Sequence, residues 1–257
     1  MKKYILAVIG ISWIVTGIIF SNPETALNNF SVVMLIPLLI TMIFQKVDQK
    51  KSEHEIPILK RAFNVKSVVF ACLYPVCFIL TCSFLIVFFK QGVIHLPAKP
   101  VTWIITILVT VFIGLFSALG EEYGWRGYLL PNLTKQYGKR KAVTMTGLVW
   151  ALYHVPTVYL LARLTGLDNP LLVCVVQAAV VFFANFAFSY CYYLSGSVIP
   201  VILYHSIWNT FNTAVLGNIY TGRAGIINGK IFLMNGEGVL GLILAMLALI
   251  FFWVKLK

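Results

Sequence analysis

The sequence predicts an all-α, polytopic membrane protein with about eight transmembrane helices. Three observations predict it. Of the 257 residues, 60% are hydrophobic and 11% are charged, where a soluble domain carries roughly 45–50% and about 25%; mean hydropathy is +0.90. Apolar runs recur at the length, roughly 20 residues, needed to cross a hydrocarbon core of about 30 Å. These runs are unbroken where a β-barrel strand would alternate, so helices are the way this chain satisfies its backbone in lipid. The composition excludes an ordinary soluble enzyme or a disordered chain. The 18 Gly and 10 Pro show no collagen-like or longer repeat.

The spans read in order as residues 4–20, 30–44, 67–89, 101–120, 142–161, 171–194, 197–216 and 238–254. The first follows Lys2 and Lys3 and lacks a small-x-small cleavage site, so it reads as an uncleaved anchor. The third carries Cys72, Cys77 and Cys82. Their five-residue spacing rotates them around a helix and, like Cys174 and Cys191, they read as small apolar fillers without metal or redox spacing. The sixth holds Gln177 and Asn185, which read as interhelical hydrogen-bond glue. Eight spans put both termini on one side. Twenty Lys and Arg stand against eight Asp and Glu. With the N-terminus inside, fifteen of the basic residues fall on inner segments (among them Lys46, Lys50, Lys51, Lys60, Arg61, Lys66, Lys135, Lys139, Arg140, Lys141 and Lys255) and five on outer ones: Lys90, Lys99, Arg163, Arg223 and Lys230. The positive-inside rule then predicts a multi-pass protein of the cell membrane, both termini cytoplasmic, organised as one domain over 1–257. The basic loops face anionic lipid headgroups, and no nucleic-acid partner is expected.

Ionisable groups at membrane depth are costly and mark function. Three clusters stand out. In Gly120-Glu121-Glu122-Tyr123-Gly124-Trp125-Arg126-Gly127, Glu122 and Arg126 are i,i+4 on a helix and face one another. Gly120, Gly124 and Gly127 form a stripe that lets another helix approach. Glu121 points about 100° away, with no partner expected in its own helix, free to face a cavity. The spacing alone also admits two juxtamembrane acids at a helix end, the lesser reading. The second cluster runs from Trp150 to His154; a lone His on an apolar helix is often a packing residue. In the third, His205, Asn209 and Asn212 lie at i, i+4 and i+7 and form one polar stripe. Interhelical glue explains Asn212 well and a His plus Asn one turn apart less well. Together the carboxylate, the imidazoles and the carboxamide suit hydrolysis: a carboxylate takes a proton from water, an imidazole holds the water, and imidazole and amide donors meet a developing oxyanion. No serine-hydrolase motif competes, and Ser117 has no evident base.

These clusters resemble the motifs of the CPBP (CAAX protease and bacteriocin-processing, Abi-type) family of intramembrane endopeptidases, which includes the type II CAAX prenyl endopeptidase. The family pattern is Glu-Glu-x-x-x-Arg, Phe-x-x-x-His and His-x-x-x-Asn. Here the first is Glu121-Glu122 through Arg126, the second Trp150 through His154 with Trp in place of Phe, and the third His205 through Asn209. The motifs place a protease core at 103–216, with flanking helices in 1–100 and 217–257. The resemblance implies catalytic roles for Glu121, His154, His205 and Asn209: Glu121 activates water with His154 assisting, and His205 and Asn209 stabilise the oxyanion. It implies a supporting role for Glu122 and Arg126. It also implies hydrolysis of a membrane-associated or lipidated peptide or protein near the cytoplasmic side, with membrane lipids as surroundings. The Ile- and Lys-rich composition points to a bacterial membrane, where bacteriocin or pheromone peptides are the analogous substrates. Oligomeric state is left open.

Zinc is possible, with Glu121, His154 and His205 as a His₂Glu set; the preferred reading needs no cofactor. The alternative reading is a non-catalytic self-immunity or signalling scaffold. A proton-relaying transporter ranks lowest, because no inverted repeat is visible. One conflict appears in the depths. His154 lies 13 residues beyond Lys141 and His205 eight beyond Ser197, about 20 Å and about 12 Å along their helices. Glu121 at the edge of a span ending at 120 would meet neither. The fourth helix is therefore expected to run from about Ile105 to Asn132, with a water-filled cavity open to the cytoplasm solvating Glu121.

Overall fold

The computed structural model describes residues 1–49 and 64–257. In chain order the elements are α1 (Lys2–Phe20), α2 (Pro23–Asn29), a 3₁₀ stretch (Phe30–Leu35) and α3 (Ile36–Gln49), then α4 (Val65–Phe88) and β1 (Gly92–Ile94). They continue as α5 (Pro100–Gly124), a π-helical turn (Trp125–Leu129), α6 (Leu130–Tyr137), α7 (Lys139–Leu164) and α8 (Pro170–Ser195). The chain closes with α9 (Ile199–Leu216), β2 (Ile227–Gly229), the short α10 (Ile231–Met234) and α11 (Val239–Lys255). Proline opens α2, α5, α8 and α9 in the first turn, where its missing N–H costs nothing. Asn64 and Asn169 cap α4 and α8 by accepting from Ser67 N and Leu172 N.

Seven described helices or helix runs are long and apolar enough to cross a membrane. The eighth expected span, α9, has 18 residues, but its polar stripe leaves it less apolar than the others. It is packed between α4 and α5. The expected extension of the fourth span is present and longer than anticipated, because α5, the π turn and α6 form one run, Pro100–Tyr137. Pro131 accounts for the π turn. It has no N–H to offer the carbonyl four residues back and crowds it, so the helix widens by one residue just before it. A two-stranded antiparallel ribbon, β1 with β2 in the register Gly92↔Gly229 and Ile94↔Ile227, was not legible in the sequence.

The glycine stripe is a contact surface, as expected. A Cβ at Gly120 would lie 2.4 Å from Met34 O, and one at Gly124 would lie 2.6 Å from Pro37 Cβ. Glycine alone lets α5 seat against the start of α3 at that distance. Long-range bonds fix which helix ends lie together. Arg140 donates to Trp253 O, Asn64 donates to Leu194 O and Tyr4 meets Thr41. These gather at one end the basic residues Lys46, Lys66, Lys139, Arg140, Lys141 and Lys255. The β ribbon, and Gln177 with Tyr220, mark the opposite end. Lys50, Lys51, Lys60 and Arg61 lie outside the described residues.

Candidate active site

Glu121 sits at the middle of the long run through α5 and is 2% exposed. Its Oε2 accepts two indole N–H bonds, from Trp150 Nε1 at 2.7 Å and from Trp125 Nε1 at 3.3 Å. The expectation that Glu121 has no partner in its own helix is thus corrected. Trp125 is one turn ahead on the same face, and the indole is long enough to reach back. The substitution of Trp for Phe in the second motif has a consequence that motif comparison missed, since a Phe at 150 could donate nothing to Glu121.

Glu122 and Arg126 are fully buried. Arg126 Nη1 donates to both Glu122 oxygens at 2.9 and 3.0 Å, and Nη2 donates to Asn185 Oδ1 at 2.9 Å. Its guanidinium carbon lies 4.2 Å from the Trp150 ring centre and 4.8 Å from that of Phe188, a stacking that Arg supports and Lys does not. Asn185 in turn donates to Val143 O, so the expected glue also holds the arginine. Glu122 has a second partner that helix spacing could not reveal: His205 Nδ1 lies 2.8 Å from Oε1 across 83 residues of chain. A carboxylate only accepts, so Nδ1 carries the proton and Nε2 is left to the cavity. His154 is oriented the same way, with Nδ1 on Trp150 O at 2.8 Å. Both imidazoles therefore present Nε2, the pattern in which a buried partner fixes tautomer and aim. Both rings meet the Trp150 ring edge-on, with centroids 5.7 and 5.8 Å away.

Glu121, Trp150, His154, His205 and Asn209 line one cavity of about 270 Å³. Asn209 is exposed within the bundle and also lines a second cavity, about 710 Å³, between α5 and α9. Its carboxamide makes no hydrogen bond among the described residues. Asn212 acts as glue, donating to Asn235 Oδ1 and accepting from Gly236 N. Among the described residues no group of three His, Cys, Asp or Glu side chains is placed to hold a metal ion.

The cavity runs from Glu121 toward one end of the bundle. Beyond Glu121 its walls are Ser31 and Met34, Thr157 and Leu161 near the end of α7, Gln177 near the start of α8, and the segment that follows α9. All lie toward the end opposite Lys139 and Lys255. The 3₁₀ stretch packs against α5 beside Glu121, and Trp125 and Arg126 are fully buried. At the far end lie Tyr220 and Glu237, which sequence reasoning missed because both fall outside the motif-bearing spans. Tyr220 donates to Glu237 Oε2 at 2.8 Å and accepts from Gln177 Nε2 at 3.0 Å. Burial first, then the neighbouring Glu237, pushes the Tyr220 phenol well above its usual range, so it remains a donor.

Residues 101–211 match the family described as type II CAAX prenyl endopeptidase Rce1-like. A similar protein is CAAX prenyl protease 2 of Methanococcus maripaludis, 24% identical over 173 residues. The matched stretch spans 62% of this chain and 62% of that relative's length.

Proposed function

We propose that this chain, whose residues 101–211 match the type II CAAX prenyl endopeptidase Rce1-like family, hydrolyses a peptide bond of a membrane-associated peptide or protein inside the helix bundle. The observation that carries the reading is the placement of Glu121. Two indole N–H groups hold Oε2, and the carboxylate lines the same cavity as both imidazoles.

The steps follow from these atoms. Water, held by His154 Nε2, loses a proton to Glu121 as its oxygen attacks the carbonyl. The oxyanion that forms takes hydrogen bonds from protonated His205 Nε2 and Asn209 Nδ2. Glu122 supports the His205 imidazolium from behind, and Arg126 balances Glu122. Collapse of the intermediate breaks the C–N bond, and the proton held by Glu121 passes to the leaving amine. Each group has a job without a metal, so a chelator leaves the rate unchanged. Substrate reaches Glu121 from the end lined by residue 31 and residues 217–220, which the positive-inside bias puts on the side away from the cytoplasm. The test is cleavage of membrane-associated peptides by the reconstituted chain, and its loss in Glu121→Gln.

A further inference from the structure

The cavity is acidic in a chain that is strongly basic. Glu121 and Glu237 both line it, and among the described residues no Lys or Arg does. The buried cation nearest the site, Arg126, is committed to Glu122. Among the described residues Glu237 takes part in no ion pair; its side-chain partner is the Tyr220 hydroxyl. A second observation points to the same spot. Gln177 lines the cavity and is 2% exposed, its Nε2 is spent on Tyr220, and its Oε1 is buried with no hydrogen-bond partner. A buried acceptor without a donor carries a cost that a ligand's N–H can remove. Tyr220 cannot supply it, because its proton already goes to Glu237.

We infer that Glu237 and Gln177 Oε1 form a subsite for a cationic group of the substrate, an ammonium or guanidinium, at the far end of the cavity from Glu121. The inference rests on the peptide-hydrolase reading above and adds a substrate class to it: peptides carrying positive charge a few residues from the cleaved bond. A cation supplies both donors and charge. It completes Gln177 Oε1 and neutralises the carboxylate in a water-poor cleft, where such pairing is strongest. The cation has two sources, a Lys or Arg side chain or the peptide's own α-amino group.

The experiment uses the full chain bearing Glu121→Gln in nanodiscs of zwitterionic lipid, so that binding is read apart from cleavage. The probes are a dansylated Leu/Ala peptide with one central lysine and the same peptide with norleucine, each with a free or acetylated N-terminus. The lysine peptide is expected to bind about tenfold tighter, which corresponds to about 1.4 kcal/mol. If acetylation alone removes a gain of that size, the α-amino group is the source. Adding Glu237→Gln keeps an acceptor for Tyr220 and brings the ratio close to one, whereas a merely structural Glu237 would leave it unmoved. Gln177→Met lowers the ratio about threefold and decides the matter if the first variant unfolds. No preference for charge in the Glu237 chain, or a preference that survives both substitutions, overturns the subsite. Failure of the hydrolase reading shows separately, as no Glu121-dependent cleavage of the same peptides by the unsubstituted chain.

Discussion

Replacing Trp150 by Phe restores the aromatic residue of the family motif and removes one atom group that matters, the Nε1–H that reaches Glu121 Oε2 at 2.7 Å. The bond is short, buried and made to a carboxylate. Hydrogen bonds to charged groups contribute about 1.5–3 kcal/mol. The remaining indole, Trp125, is at 3.3 Å and does not move closer, because it is fixed one turn along the same helix. If that bond positions Glu121 in the transition state, kcat/KM falls about tenfold to a hundredfold, at about 1.36 kcal/mol per tenfold. The assay is initial-rate cleavage of a fluorogenic membrane peptide in nanodiscs, well below the unfolding temperature. Trp125→Phe is the comparison and costs less, in proportion to its longer bond. A Trp150→Phe chain that cleaves within about twofold of the unsubstituted chain, while cleavage still depends on Glu121, refutes the positioning role.

Three further outcomes follow from the packing. Arg126→Met takes the guanidinium from the buried Glu122 and leaves it to His205; it lowers stability by about 3 kcal/mol, and adding Glu122→Gln recovers part of it, as read by thermal unfolding in detergent. Gly120→Ala forces a methyl onto Met34 O and costs about 1–3 kcal/mol by the same measurement; an unchanged melting temperature would contradict the close seating of α5 on residues 34–37. Single cysteines at Ser31 and Lys139 report access: a membrane-impermeant maleimide applied to intact cells labels Ser31→Cys and spares Lys139→Cys. The reverse pattern would place the cavity mouth on the cytoplasmic side.

The helices were legible because twenty apolar residues have few other uses, and the extension of α5 was legible because the depths of Glu121, His154 and His205 could not otherwise agree. The glycine stripe was readable at i, i+4 and i+7, and so was the Glu122–Arg126 pair. What spacing could not show was anything joining distant segments. The His205–Glu122 bond spans 83 residues, and the indole bonds to Glu121 depend on the rotamers of Trp125 and Trp150. The cavity's lining comes from several separate segments, among them the 3₁₀ stretch and the loop after α9, a matter of packing that hydropathy does not encode. Gln177 looked like interhelical glue and instead bonds a loop tyrosine. Glu237 passed unnoticed because it stands at the edge of the last apolar segment, where an acid needs no special explanation until Tyr220 is seen folded over it.

The central claim is that Glu121 is the group that activates water. Reconstituted chain and Glu121→Gln are compared for cleavage of one membrane-associated peptide, with product bonds identified by mass spectrometry and folding checked by thermal unfolding. Glutamine keeps both indole bonds but cannot take the proton. The account predicts a folded variant with the rate reduced by about 10²–10⁴-fold, the range expected for loss of a general base. A folded Glu121→Gln chain that cleaves the same bond at the unsubstituted rate would contradict it.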